Sequence, residues 1–182
     1  MTEKILLDSQ PLALTINRLC RQLIENHGDF SRSVIIGVQP RGIPLLDRIC
    51  DKLMQINPSL KYHAGKLDVS FYRDDFRRND KILAVNESTI NFSTEGKNII
   101  LIDDVMYTGR TVRAALDALL DYGRPQKVEL MVLVERRFSR QLPIQPDYTG
   151  ISVDSIQSQE VRVEWSAAGD MDRVLLIEKR KL

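Results

Sequence analysis

The feature that most constrains the fold is a continuous apolar run that leads through two acids into a turn containing one glycine. The run 98–102 reads NIILI, and DDVMYTGRT follows it directly. An uninterrupted run of this kind is typical of a central parallel strand that is buried on both faces. A helical period begins after the turn, with apolar residues at Val112, Ala115, Leu116 and Leu119. The sequence therefore predicts a strand–turn–helix unit within an α/β domain.

The rest of the chain alternates in the same way. Helical periods are predicted over about 10–26 and 46–54, buried strands over 33–38 and 128–134, and a half-exposed strand over 67–72. The segments 151–153, 161–165 and 174–177 are predicted to be short edge strands. Strands and helices in alternation indicate a central parallel sheet with helices on both faces. We expect one domain over residues 1–182.

The segment 73–97 interrupts this alternation because it is polar and has no sustained period. A loop of this length inside a compact domain is usually functional. We therefore expect a flexible loop that lies over a site.

Composition excludes several classes of protein. The chain has 182 residues, of which 43% are hydrophobic and 28% charged, so it contains enough apolar material for a core. The net charge of +1 excludes nucleic-acid binding by overall charge, although it allows a local basic face. Cys20 and Cys50 are too few for a disulfide framework or a zinc site of the CxxC type, and we expect both to be small buried hydrophobes. No run approaches the roughly 18 apolar residues of a membrane span, so we expect no membrane association and a cytoplasmic location.

The turn 107–111 has the chemistry of a phosphate cradle. Backbone N–H groups at a helix N-terminus favour an anion, through free donors and through the helix dipole. Thr108 and Thr111 add hydroxyl donors, and Gly109 allows a close approach of the backbone. The glycines and the lysine of a Walker A loop or a GxGxxG loop are missing. A simple helix cap by Thr108 or Thr111 is the alternative.

Asp103 and Asp104 stand immediately before this cradle. Two carboxylates would repel an anion unless they bind something else, such as a magnesium ion or the vicinal hydroxyls of a ribose. A site that holds both a 5′-phosphate and a ribose diol fits a sugar-phosphate donor. A pair of capping residues at a strand end is the alternative.

The sequence IILIDDVMYTGRTVRAALDAL resembles the thirteen-residue signature of the type I phosphoribosyltransferases, which bind phosphoribosyl pyrophosphate. Within that family, the chain is most similar to the bifunctional pyrimidine operon attenuation regulators and uracil phosphoribosyltransferases. Four further segments share the resemblance, which covers about residues 8–180: GVQPRG at 37–42, KLDVSFYRDD at 66–75, GRPQKVELMVLVERR at 123–137 and QLPIQPDYTG at 141–150.

The resemblance implies a type I phosphoribosyltransferase-like fold with a flexible loop over the site, and it implies a role for each matching residue. Asp103 and Asp104 would hold the ribose hydroxyls, directly or through Mg²⁺. Arg41 and Gly42 would bind the pyrophosphate, and Arg73 would swing over it when the loop closes, beside the charged pair Asp74 and Asp75. Catalytic roles would fall to Arg41, Arg73 and Asp104. The substrate-binding residues would be Arg41, Gly42, Asp103, Asp104, Val105, Met106, Tyr107, Thr108, Gly109, Arg110, Thr111 and Arg137.

Position 107 bears on the choice of base. Purine-type members of the family carry an acid before Thr-Gly, whereas this chain has Tyr107. The resemblance therefore implies uracil as the base, with UMP and pyrophosphate as products. Backbone groups over 137–141 would read the edge of the uracil. The family usually has glycine and histidine in this segment, and here the sequence is RRFSR over 136–140.

The resemblance also implies a second activity, which is binding of leader mRNA when a uridine nucleotide occupies the site. RNA binding requires a local group of basic side chains. The candidates are Arg18, Arg21, Arg136 and Arg140, together with Arg137 and the basic residues 179–181. Ordinary solvated charges are the alternative at these positions.

Two other functions stay open at this point: a nucleotide-sensing RNA attenuator with little catalysis, and a phosphoribosyltransferase for another base. The family forms dimers or larger homo-oligomers, so we expect self-association.

Overall fold

The structure is a computed structural model, and it describes residues 2–74, 86–167 and 169–178. Its strands and helices are β1 Thr2–Leu7, α1 Ser9–His27, β2 Ser33–Val38, α2 Gly42–Ile56, β3 His63–Leu67, β4 Asn98–Met106, α3 Arg110–Leu119, β5 Lys127–Arg137, β6 Tyr148–Asp154, β7 Gln159–Glu164 and β8 Arg173–Glu178. Short 3-10 helices occupy Ser70–Tyr72 and Leu120–Tyr122.

Five strands form a parallel sheet in the order β3-β2-β4-β5-β6. The central strand β4 is buried over most of its length. Residues of α1 and α2 pack on one face of the sheet, and residues of α3 pack on the other. This arrangement confirms the predicted α/β class with helices on both faces. Because both faces are covered, β2 and β4 need apolar side chains on both sides, which explains their uninterrupted apolar runs.

The predicted strand over 67–72 is wrong, since β3 ends at Leu67 and a 3-10 helix follows. The cause is a local hydrogen-bonding competitor. The carboxylate of Asp68 accepts hydrogen bonds from the backbone N–H of Ser70 at 3.1 Å and from its hydroxyl at 2.7 Å. Such a side-chain-to-backbone turn replaces the strand ladder.

Most of the tail forms a second sheet. Strands β1, β8 and β7 pair antiparallel in the order β1-β8-β7. Of the three predicted tail strands, the one at 151–153 lies at the edge of the main sheet, within β6. The other two lie in the second sheet, and the first segment of the chain joins them.

The two cysteines are free thiols. Cys20 is buried in the main core, as predicted, and burial raises the pKa of its thiol to about 12. Cys50 is half-buried beside that core. Within the described residues, no helix is long and apolar enough to cross a membrane.

Candidate active site

A cleft of about 690 Å³ opens at the carboxyl ends of β2, β4 and β5. Ligands in open α/β sheets bind at this edge, outside the carboxyl ends of the strands. The lining residues are Gln39, Pro40, Arg41, Arg73, Asp103, Asp104, Val105, Met106, Tyr107, Thr108, Gly109, Arg110, Thr111, Val112, Arg136, Gln157, Gln159, Glu160 and Val161. The structure therefore brings together the predicted acids, the predicted phosphate turn, Arg41 and Arg73.

The two acids lie in the last part of β4 and are nearly enclosed, with exposed fractions of 6% for Asp103 and 7% for Asp104. Burial raises the pKa of Asp103 well above its ordinary value, and the charge of Asp104 raises it further. Burial also raises the pKa of Asp104, which the charge of Arg41 partly offsets. The protein therefore does not supply enough positive charge or hydrogen bonding to balance both carboxylates when they are ionised.

This donor set fits a hard cation or a diol. Magnesium is usually held by one or two carboxylates, with waters and substrate phosphates completing its coordination. Among the described residues, no group of three or more acids, histidines or cysteines could hold a metal by itself. A metal at Asp103 and Asp104 would therefore take its remaining ligands from water or from the substrate.

The predicted phosphate turn connects β4 to α3. Gly109 is the N-cap residue of α3 and has a left-handed backbone with φ 92°, which glycine adopts without steric cost. No side chain caps this helix, and Thr108 accepts only a long bond of 3.4 Å from the N–H of Arg110. The simple capping role considered for the two threonines is therefore not what the geometry favours. The N-terminus of α3 opens on the cleft, where its free N–H groups suit an anion.

The beginning of the polar segment lies against this turn. Arg73 donates through Nη1 to the hydroxyl of Thr111 at 3.3 Å, and Asp74 forms ion pairs with Arg110 and Arg113. Both arginines belong to α3, so the segment is anchored to the helix that opens on the cleft. The expected flexible loop over 73–97 falls partly outside the described residues, and so does Asp75.

The structure separates the two residues of the predicted pyrophosphate loop. Arg41 is exposed and lines the cleft. Gly42 is buried beneath it, where a Cβ atom would come within 2.4 Å of the carbonyl oxygen of Ile102. Gly42 therefore allows the N-terminus of α2 to approach β4 closely, which positions Arg41 beside the acids.

A segment after β5 is hydrogen-bonded to the phosphate turn. The N–H groups of Gln141 and Leu142 donate to the carbonyl of Thr108 at 3.0 and 3.3 Å, and Arg140 donates to the carbonyl of Tyr107 at 2.9 Å. The segment predicted to read the base is therefore attached directly to the phosphate turn.

Comparisons with known proteins agree with this geometry. The phosphoribosyl transferase domain family matches residues 3–168. The bifunctional protein PyrR of Desulfosudis oleivorans is 42% identical over 170 residues, 93% of each chain. The bifunctional protein PyrR of a Picosynechococcus species is 39% identical over 98% of this chain and 100% of its own. The chain belongs to the PyrR family of phosphoribosyltransferases. It is thus an enzyme-family member along essentially its whole length.

Solved structures of PyrR's more distant relatives share the fold. The hypoxanthine phosphoribosyltransferase of Trypanosoma cruzi superposes with a TM-score of 0.71 at 16% identity and covers 97% of each chain. A hypoxanthine-guanine phosphoribosyltransferase of Bacillus anthracis gives a TM-score of 0.65 at 16% identity, over 82% of this chain and 83% of its own. At such identities the likeness establishes the type I phosphoribosyltransferase fold alone.

Two arginines of this PyrR-family chain do not lie where the sequence placed them. The side chain of Arg137, predicted to bind substrate, is exposed outside the cleft and pairs with Asp154 at 2.6 Å. Arg136, predicted to contact RNA, is 5% exposed and lines the cleft. Its guanidinium donates to Ser155, Ile156 and Gln159, so it cannot reach a bound RNA backbone. Successive residues of a strand point to opposite faces, which explains why these neighbours differ.

Of the other predicted RNA contacts, Arg18 and Arg21 lie on the surface. Arg18 and Arg21 are exposed on α1, three positions apart and hence on one side of the helix. Arg18 also donates to the carbonyls of Gly150 and Thr149 in β6, at 2.6 and 3.2 Å. Arg140 is half-buried and pairs with Glu135 at 2.9 Å. The basic residues 179–181 lie outside the described residues.

The sequence did not predict that the second sheet would contribute residues to the cleft. Gln157, just before β7, and Gln159, Glu160 and Val161, in the first part of β7, line the cleft. These residues carry no motif, and only the pairing of β7 with β8 brings them to the site.

Proposed function

We propose that this chain is a uracil phosphoribosyltransferase that converts uracil and phosphoribosyl pyrophosphate to UMP and pyrophosphate. The observation that carries the proposal is the meeting, in one cleft, of two buried acids with uncompensated charge and an uncapped helix N-terminus preceded by Gly109. Membership of the PyrR family supports the same reaction.

In this reaction the anomeric carbon passes through a cationic state as pyrophosphate departs. We assign Arg41 and Arg73 to the charge that develops on the pyrophosphate, because preorganised cations are most effective when they are already placed where the charge appears. The turn 107–111 holds the 5′-phosphate, and Asp103 and Asp104 orient the ribose hydroxyls. Asp103 and Asp104 would hold magnesium, which would supply further positive charge there when bound.

The base specificity is tested by a panel of bases. We expect pyrophosphate release from phosphoribosyl pyrophosphate with uracil, and none with hypoxanthine or orotate. Tyr107, at the position where purine-type members have an acid, supports this choice. Turnover with a different base would support the alternative of a phosphoribosyltransferase for that base, and turnover with no base would contradict an enzymatic role.

We further infer that the chain regulates pyrimidine biosynthesis genes in the cytoplasm by binding leader mRNA when UMP occupies the cleft. Arg18 and Arg21 are the exposed arginines we assign to the RNA, since they share one side of α1. The assembly is a dimer or larger homo-oligomer in this proposal, which sedimentation velocity would test.

A gel shift with pyrimidine-leader RNA, with and without UMP, tests the regulatory role. We expect Arg21→Ala to weaken the shift and Arg124→Ala, which changes an exposed arginine in the connection before β5, to leave it unchanged. A missing shift for the unaltered protein at low salt would contradict the regulatory role. A different result would favour a regulator with little catalysis. In that case the unaltered protein shows no turnover, and Arg41→Ala still binds UMP and still shifts the RNA.

A further inference from the structure

The cleft wall contains a buried cation that the described residues do not neutralise. Arg136 is 5% exposed, and the acceptors of its hydrogen bonds are all uncharged: the hydroxyl of Ser155 and the carbonyls of Ile156 and Gln159. Glu160 attracts it at longer range but forms no ion pair with it. A guanidinium stays protonated in proteins. Burying such a charge without a partner costs free energy, which indicates that a ligand supplies the missing electron density.

One edge of this guanidinium is open. Nε donates to Ser155 at 2.8 Å, and Nη2 donates to Ile156 at 3.2 Å and to Gln159 at 2.9 Å. Nη1 donates to no acceptor in the described part of the chain. It is also not among the enclosed polar atoms that lack a partner there, so it retains contact with open space. Arg136 forms part of the cleft wall, which makes this donor a candidate partner for a molecule in the cleft.

The flat face of the guanidinium also contacts the protein. Its carbon lies 4.0 Å from the centroid of the Tyr107 ring, which is the distance of a stacked cation–π contact. Tyr107 begins the phosphate turn, and its carbonyl accepts a hydrogen bond from Arg140, in the segment after β5. A nucleotide with its phosphate on 108–111 and its ribose at Asp103 and Asp104 therefore has the Tyr107–Arg136 pair available for its base.

We propose that Arg136 donates through Nη1 to a ring carbonyl oxygen of uracil and stabilises the negative charge that the ring carries as N1 loses its proton. The inference rests on the proposed function and adds a residue to it. In the step, the N1–C1′ bond forms with the electron pair of N1, and the C1′–O bond breaks with its pair leaving on pyrophosphate. The N1 proton passes to pyrophosphate or to water. Arg136 supplies charge and takes no proton.

The test compares uracil with 5-fluorouracil in three variants. Fluorine withdraws electrons and makes the ring N–H more acidic, so the fluorinated base depends less on a nearby cation. We expect Arg136→Gln to lower kcat/KM for uracil by about 10- to 100-fold, the range for a lost hydrogen bond to a charged group. The loss with 5-fluorouracil should be clearly smaller. Arg136→Lys keeps the charge, so its kcat/KM for uracil should lie between those of Arg136→Gln and the unaltered protein. In both variants, the rising limb of the pH profile with uracil should move to higher pH.

Ser155→Ala is the matched control, because it removes one anchor of the guanidinium and keeps the charge. It should leave the ratio of the two bases unchanged. If both Arg136 variants lower kcat/KM equally for the two bases, with no change in the pH profile, Arg136 only supports the wall and the inference is overturned. If Arg136→Gln does not fold, the ratio in Arg136→Lys decides. Absence of uracil turnover in the unaltered protein would remove the proposed function too, whereas an unchanged ratio with normal uracil turnover removes only this inference.

Discussion

At the scale of single residues, the site is built from charges that the fold leaves uncompensated. Asp103 and Asp104 lie in the buried part of β4, which keeps both carboxyl groups away from solvent. Arg136 is held by three acceptors and an aromatic face. Such groups weaken the empty protein and are satisfied when substrate arrives, which is the physical basis of a preorganised site.

Asp103→Asn is therefore expected to stabilise the protein while it abolishes most of the activity. Because the pKa of Asp103 is raised, the folded state binds more protons than the unfolded state, and stability falls as pH rises from about 4 through the raised pKa. Removing the charge should raise the free energy of unfolding at pH 7 by roughly 1–2 kcal/mol. It should lower kcat about 100-fold, as for other lost charge-positioning groups. Urea unfolding without magnesium at pH 5 and pH 7, together with initial rates, measures both effects.

Asp154→Asn is the control for this change, since Asp154 is exposed and pairs with Arg137 at the surface. Its stability should differ from that of the unaltered protein by less than about 0.5 kcal/mol. An Asp103→Asn variant that is less stable than the unaltered protein at pH 7 would contradict the expectation.

At the scale of elements, one ion pair fastens the second sheet to the main domain. Arg48 of α2 donates to Asp172, just before β8, at 2.8 and 3.2 Å, and to the carbonyl of Ser166 at 2.6 Å. The guanidinium also lies 5.6 Å from the centroid of the Trp165 ring. Because β7 and β8 are paired, this contact fixes the strand that carries the far wall of the cleft.

Asp172→Asn is expected to weaken both stability and substrate binding. Burial raises the pKa of Asp172, but the hydrogen bonds from Arg48 and Ser166 outweigh it, so the pKa is lowered overall. The stabilisation is therefore complete above the ordinary carboxyl pKa of about 3.9 and is lost as pH falls through the lowered value. We expect a loss of about 2 kcal/mol at pH 7 that shrinks below pH 4, with a rise in KM for phosphoribosyl pyrophosphate. Denaturant titrations at pH 7 and pH 3.5 provide the comparison.

Arg173→Gln removes a more exposed ion pair, with Glu164, in the same sheet. It should cost less than about 1 kcal/mol, because exposed pairs contribute little. Equal losses for the two variants, or a loss for Asp172→Asn that does not depend on pH, would show that the Arg48 contact does not fasten the sheet.

At the scale of the whole molecule, the cleft is formed by parts that come from both sheets and from widely separated stretches of chain. Residues near positions 40, 105, 136 and 160 meet there. A ligand that bridges these parts stabilises the folded chain by mass action, since the unfolded chain has no cleft to bind it.

Phosphoribosyl pyrophosphate with magnesium is therefore expected to raise the melting temperature, by an amount equivalent to about 2.7 kcal/mol at a hundred times its dissociation constant. UMP should act in the same direction. Chelation of magnesium with EDTA should reduce the effect of phosphoribosyl pyrophosphate, and Asp103→Asn should reduce it further. Differential scanning calorimetry and titration calorimetry give the shift and the affinity, and no uptake of either ligand in magnesium buffer would contradict the site as a whole.

The sequence by itself determined the strand–turn–helix unit at 98–119, and with it the acids and the phosphate turn. These features are predictable because every part of the unit is contiguous: an apolar run buried on both faces, a glycine where the backbone is left-handed, and a helical period. Only the tertiary structure decided the rest of the cleft. Strand β1, at the beginning of the chain, pairs with β8 near its end, and this pairing leaves no local signal. The interior position of Arg136 likewise depends on which face of β5 meets the second sheet. The sequence alone does not distinguish a charged residue at a strand end that faces solvent from one that faces a site.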